Sequence, residues 1–149
     1  MGKSLIITEK PSVAQEFAKV LGVSGGRRDG YLENQKYVIT WCVGHLVAMV
    51  YPESYDIKYK KWKLEDLPFL PKEYKYDVIK DVSRQYDVVH GMLMREDIDR
   101  VYWAGDAGKE GQTIEENIRK FGGVREGMKE LRVWIDSQTE EEKIGRAHV

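Results

Sequence analysis

Residues 100–118 read RVYWAGDAGKEGQTIEENI, and no other stretch limits the fold as much. An apolar run climbs to a lone aspartate, Asp106, a glycine-broken turn follows, and a helical pattern begins. This is the syntax of strand, turn and helix, the repeating unit of an α/β sheet. Ligands of such sheets gather beyond the carboxyl ends of the strands. A carboxylate at the tip of a buried strand is badly placed for a core and well placed for a ligand. Glu110 lies in the turn that opens the next helix and can face the same point.

The remaining chain repeats that syntax. SLIIT is a short Ile-rich run, typical of a buried parallel strand, and it ends at Glu9. PSVAQEFAKVLG follows, with Val13, Phe17, Val20 and Leu21 at helical spacing. Pro11 suits a first turn, Ser12 with Gln15 forms a capping-box pattern, and Gly22 is a C-terminal stop. YLENQKYVITWCV predicts two strands joined through Glu33–Lys36. From Tyr51 to Tyr76 the chain is irregular, with prolines at 52, 68 and 71. Trp62, Leu64, Leu67, Phe69 and Leu70 predict an excursion ordered by packing. Val78, Val82, Tyr86, Val89 and Leu93 predict one helix. After the 100–121 unit, LRVWI predicts a strand, and Thr139 with Glu142 a capping box for a last helix. The expectation is one α/β domain over residues 1–149: a central, mostly parallel sheet flanked by helices, with a small hairpin insertion.

If the strands ending at Glu9 and Asp106 are neighbours, three carboxylates from distant sequence, Glu9, Asp106 and Glu110, meet at one edge. Left alone they repel, and a hard divalent cation removes the conflict. An oxygen-only donor set suits Mg²⁺, which keeps several waters and takes phosphate oxygens. Gly105, Gly108 and Gly111 predict close backbone approach to a ligand, and the helix N-terminus favours an anion. Together these point to phosphoryl-transfer or phosphodiester chemistry. A formal net charge of -1 argues against a nucleic-acid binder held by charge alone, and leaves room for phosphate met through a metal. One cysteine, Cys42, forms no internal disulfide and reads as core; with no signal-peptide architecture at the N-terminus, cytoplasm is the expected compartment. The longest apolar run, Val38 to Tyr51, is too short to span a bilayer, so no membrane partner is expected.

Four blocks, LIITEKPSVAQEFAKVLG, ITWCVGHLV, GDAGKEGQ and RVWIDSQTEEE, occur in an order that resembles the N-terminal Toprim domain of bacterial type IA DNA topoisomerases, the topoisomerase III group in particular. The resemblance implies a small parallel sheet flanked by helices. It implies an enzyme that cleaves one DNA strand through a tyrosyl-phosphate link, passes another strand and reseals, with single-stranded DNA as partner. Residue by residue, Glu9 matches the family's glutamate in proton transfer at the scissile phosphate and near the metal. Lys10 matches the lysine that contacts that phosphate. Asp106 and Glu110 match the first and last acids of a D-x-D-x-E pattern that binds Mg²⁺. Gly108 replaces the middle acid, which leaves one carboxylate fewer. Lys109 stands where arginine is usual and retains a phosphate-facing charge without the bidentate grip. None of the nine tyrosines matches the family's nucleophile. The resemblance therefore implies an N-terminal fragment of a longer enzyme, inactive alone, with a tyrosine-bearing domain downstream. Two alternatives are a Toprim module of a primase or nuclease and a metal-free interaction module.

Plainer uses exist for each residue. Asp106 suits a helix N-cap and Glu110 a first-turn glutamate. His45 reads as a structural hydrogen-bonder and stays outside the catalytic set. KYKKWK, residues 58–63, interleaves base and aromatic as nucleic-acid surfaces do, although such a run is more often a solvated edge with its tryptophan packed inward.

Overall fold

The computed structural model describes residues 2–24 and 29–134. A five-stranded sheet runs in the order β2-β3-β1-β6-β7. Its strands are β1 (Lys3–Thr8), β2 (Tyr31–Glu33), β3 (Tyr37–Trp41), β6 (Ile98–Ala104) and β7 (Lys129–Arg132). Strands β3, β1, β6 and β7 are parallel, and only β2 is antiparallel, as the first arm of a hairpin with β3. The expected α/β class, with a mostly parallel sheet between helices, is what the chain forms.

The alternation of β1 explains the layers. Leu5 and Ile7 point to one core with Val101, Trp103 and the buried faces of α2 (Ser83–Leu93) and α3 (Lys109–Gly122). Ile6 points to the other, against Val13, Ala14 and Phe17 of α1 (Pro11–Val20). A strand buried on both faces must be apolar throughout, and SLIIT is. Cys42 is buried in the first core, and burial pushes its thiol well above the usual range. Among the described residues no helix is long and apolar enough to cross a membrane.

Several local expectations change. Lys10, not Ser12, is the N-cap of α1, and no side chain caps it, so the Ser12–Gln15 box does not form; Pro11 takes the first turn, where a missing N–H costs nothing. The apolar spacing over 78–93 spans three pieces. Val78 belongs to β5 (Tyr76–Val78), which pairs antiparallel with β4 (Val47–Met49); Lys80–Val82 is a single 3-10 turn; α2 begins at Ser83. Strand pairing takes the backbone of Val78 out of the helix, yet Val78 and Val82 still pack on the core. The strand expected at LRVWI is β7, Lys129–Arg132. The expected capping box at Thr139 lies outside the described residues.

The excursion after β4 is ordered, but by only one of the side chains predicted to pack. It holds three short 3-10 turns, Pro52–Ser54, Ile57–Lys60 and Leu64–Asp66. Trp62 is 83% exposed, Leu64 89% and Leu70 74%, and Leu67 is exposed too. Only Phe69 packs, edge-on against Tyr55 and Tyr59. With 3-10 turns of three or four residues there is no continuous apolar face to turn inward.

Candidate functional site

The register of the sheet brings the two acidic motifs level. Thr8 pairs with Ala104 across β1 and β6, so the residues that follow, Glu9 and Gly105–Asp106, leave the sheet side by side. The amide of Asp106 donates to Glu9 Oε2 at 3.0 Å. Lys10 Nζ lies 3.8 Å from Asp106 Oδ2. The Thr8 hydroxyl donates to the Lys10 carbonyl at 2.8 Å and holds the corner between β1 and α1.

A third loop joins them. Trp41 ends β3 opposite Thr8, and the amides of Cys42 and Gly44 donate to the carbonyls of Thr8 and Glu9. This sets His45 beside the first turn of α3, with Nε2 3.6 Å from Glu110 Oε1. Glu110 therefore faces His45 rather than the other two acids. Among the described residues no three His, Cys, Asp or Glu side chains form a group that could hold a metal ion. The edge thus holds two clusters, Glu9–Lys10–Asp106 and His45–Glu110. Lys109 is exposed and has no ion-pair partner among the described residues.

Asp106 does not cap α3. Gly108 is the N-cap residue, with no side-chain cap bond, so the plainer reading of Asp106 is not its role. The glycines serve the protein itself. A Cβ on Gly111 would sit 2.3 Å from the Asp106 carbonyl oxygen, so α3 presses directly on the backbone that carries the aspartate. A Cβ on Gly105 would meet Glu115 Oε1 at 2.5 Å. At Gly108 there is open space, but φ is +136°, a conformation L residues rarely adopt. The close approach expected toward a ligand is, at Gly105 and Gly111, an approach to Glu115 and to the Asp106 backbone.

Behind the turn lies a pair that sequence reasoning missed. Glu115, 7% exposed, accepts from the Gly105 amide at 2.6 Å and from Arg132 Nη1 at 2.9 Å. The same Nη1 reaches the carbonyls of Trp103 (2.9 Å) and Gly105 (3.1 Å), and Nη2 reaches that of Asp106 (3.2 Å). Arg132 Nε is buried without a partner among the described residues. One guanidinium thus gathers the backbone that leads from the end of β6 into Asp106. Burial raises the Glu115 carboxyl to about 7 from an ordinary 4.5, with Arg132 and the Gly105 amide opposing the rise and Glu9 and Glu116 adding to it. A signal existed: Glu115 occupies a buried position of α3 between Ile114 and Ile118.

The Toprim domain family profile matches residues 4–137. Three curated relatives share one name. DNA topoisomerase 3 of Bacillus thuringiensis (strain Al Hakam) is 46% identical over 140 residues, 94% of this chain and 19% of that protein. DNA topoisomerase 3 of Staphylococcus haemolyticus (strain JCSC1435) is 44% identical over 137 residues, 92% of this chain and 19% of that protein. DNA topoisomerase 3 of Shouchella clausii (strain KSM-K16) is 44% identical over 140 residues, 94% of this chain and again 19% of the relative. The chain spans about a fifth of the length of the curated relatives it matches.

Proposed function

The chain belongs to the Toprim domain family, and on that premise we propose that it is the Mg²⁺-binding module of a type IA DNA topoisomerase of the topoisomerase III group. The module supports transesterification of single-stranded DNA at a tyrosine supplied from outside these 149 residues, by a further domain of the same protein. The observation that carries the reading is the bond from the Asp106 amide to Glu9, which joins motifs 97 residues apart at one sheet edge beside Lys10.

The roles follow from that edge. Lys10 and Lys109 bring positive charge to a phosphate, and the unpaired N–H groups at the start of α3 add theirs. Glu9 has one oxygen taken by the Asp106 amide and the other available, which suits a group that holds or moves a proton at the scissile phosphate. The donor set is oxygen only and open to water, which fits an ion that keeps most of its hydration. Glu9 and Asp106 would hold Mg²⁺, and Glu110 would join them only by leaving its contact with His45. When bound, the ion would supply charge stabilisation to the phosphate. The reading extends to a cytoplasmic setting, because the chemistry needs DNA and the single cysteine, Cys42, can form no internal disulfide.

Titration of the purified chain with Mg²⁺ by calorimetry tests the metal. The expected binding is weak, on the order of millimolar, because few protein ligands offset dehydration. Asp106→Asn is expected to abolish it. A flat titration of the parent chain would overturn the metal assignment and favour an interaction module. The chain alone is expected neither to nick nor to relax plasmid DNA with Mg²⁺. Relaxation lost on mutating one of its own tyrosines would overturn the external nucleophile.

A further inference from the structure

The excursion between β4 and β5 has an inner side held by hydrogen bonds and ring contacts and an outer side that none of the described residues covers. On the inner side Asp56 accepts from the Lys58 amide at 3.0 Å and caps the turn Ile57–Lys60. Phe69 sits edge-on between Tyr55 and Tyr59, with ring centres 5.2 and 5.0 Å away. The Tyr55 hydroxyl accepts from the Lys75 amide, which ties the excursion to the start of β5. The outer side follows from this anchoring. With Tyr59 turned inward, Lys58, Lys60, Lys61 and Lys63 are exposed, and Trp62 stands among them almost entirely in water.

An exposed indole forgoes the burial that a tryptophan normally provides. Here it lies on an ordered support, at the rim of a hollow lined also by Tyr51, Lys60, Lys61 and Leu67. Lys60 and Lys61 have no ion-pair partner among the described residues, and Lys63 has only an exposed contact to Glu65 at 3.9 Å. Glu53 and Asp66 line the same hollow, so the charge is local to the lysine run rather than spread across the face. Lysine is depleted in the cores of protein–protein interfaces, which argues against a protein covering this tryptophan. A flat π-face amid flexible cationic side chains is what a strand of unpaired bases and phosphates requires.

We propose that residues 58–63 form a second, metal-independent contact for single-stranded nucleic acid, in which a base stacks on Trp62 and phosphates meet Lys60, Lys61 and Lys63. The partner class rests on the reading of the chain as a topoisomerase module. The contact itself is separate from Glu9 and Asp106.

The test is fluorescence anisotropy of a labelled oligothymidylate of about a dozen nucleotides, within the range of site sizes for stacking platforms, in EDTA and low salt. Trp62→Ala is expected to weaken binding about tenfold, with Trp62→Tyr restoring most of it. Lys60→Ala with Lys61→Ala should make the slope of log K against log salt shallower by about 0.7 for each phosphate that is no longer neutralised. Circular dichroism should be unchanged, since Trp62 supports no core. No binding at low salt would overturn the proposal, and so would equal binding by Trp62→Ala. Self-association that disappears in Trp62→Ala while oligonucleotide binding stays intact would overturn it in favour of a protein interface. The assay runs without free Mg²⁺, so its outcome does not depend on metal held by Glu9 and Asp106. Failure here therefore leaves the Mg²⁺ titration to stand or fall by itself.

Discussion

The turn at Gly105–Gly108 and the excursion at 50–75 are both irregular backbone, ordered by opposite means. The turn is held from far away: Arg132, on the last described strand, donates to the carbonyls of Trp103, Gly105 and Asp106, and Glu115 takes the Gly105 amide. The excursion is held from nearby, by an Asp56 cap, three short 3-10 turns and three aromatic rings. Long-range, buried polar anchoring gives a fixed presentation of one carboxylate, and any loss is felt by the whole fold. Local anchoring gives a stable support that leaves large side chains in water and makes them cheap to change. The acidic edge is ordered by the first means and the lysine-bearing excursion by the second.

The largest effect should come from removing the anchor of the turn. Arg132→Met leaves Glu115 buried without its cation and takes the Arg132 donor from the carbonyls of Gly105 and Asp106, while the Trp103 carbonyl keeps the Val133 amide. Breaking one partner of a buried pair costs about 3 kcal/mol at the lower end of the usual range, and the partial exposure of Arg132 argues for that end. Urea unfolding followed by circular dichroism reads this directly. A loss under about 1 kcal/mol, on the scale of ordinary surface substitutions, would mean that the turn holds itself and that the contrast with the excursion is false.

The next effect is one of pH. The Glu115 carboxyl titrates at about 7 in the folded chain against an ordinary 4.5, so between these values the folded state binds more protons than the unfolded. Stability is then fully present below about 4.5 and falls as pH rises towards 7. Glu33 acts in the opposite sense. Its hydrogen bond to Arg95 holds it below the ordinary value, and its contribution, present above that value, is lost as pH falls further. Glu115→Gln should retain the acceptor for Gly105 and Arg132 while removing the decline towards neutral pH. An unchanged slope between mildly acidic and neutral pH, measured by thermal melts, would place the titration elsewhere.

The contrast also marks what the sequence could reveal. The strand–turn–helix units at Glu9 and Asp106 were readable because apolar runs and helical spacing are local patterns. Alternation left the neighbouring of β1 and β6 a condition; the sheet meets it with parallel pairing, and that sets Glu9 against the Asp106 amide. The start of α2 was not readable, because Val78 obeys the helical spacing and is claimed by pairing with Val47. Nor was the exposure of Trp62, since composition predicts burial and only the short 3-10 turns forbid it. His45 looked structural; the two loop bonds that bring it to Glu110 come from the end of β3, outside its own motif. Arg132 was invisible because its bonds reach back to residues 103–106 and 115, and a lone arginine in a short strand reads as an edge charge.

The smallest effect on stability bears on the missing middle acid. Gly108→Asp restores a carboxylate between Asp106 and Glu110, and electrostatics alone would have it tighten Mg²⁺. No atom lies within 4 Å of the added Cβ, so sterics do not oppose it. The backbone does: φ is +136° and ψ 175°, a region nearly exclusive to glycine, and holding a side chain there costs about 1 kcal/mol or more. The chain can avoid that strain by rotating the turn, but α3 starts at the next residue and Gly111 packs against the Asp106 backbone, so the rotation would shift the aspartate itself. The expected variant folds, melts slightly earlier and binds Mg²⁺ no better than the parent. Tighter binding with unchanged stability would mean that the turn is free to adopt an ordinary φ. The fixed presentation of Asp106 would then be a property of Arg132 and Glu115 alone, with no contribution from the glycine between the acids.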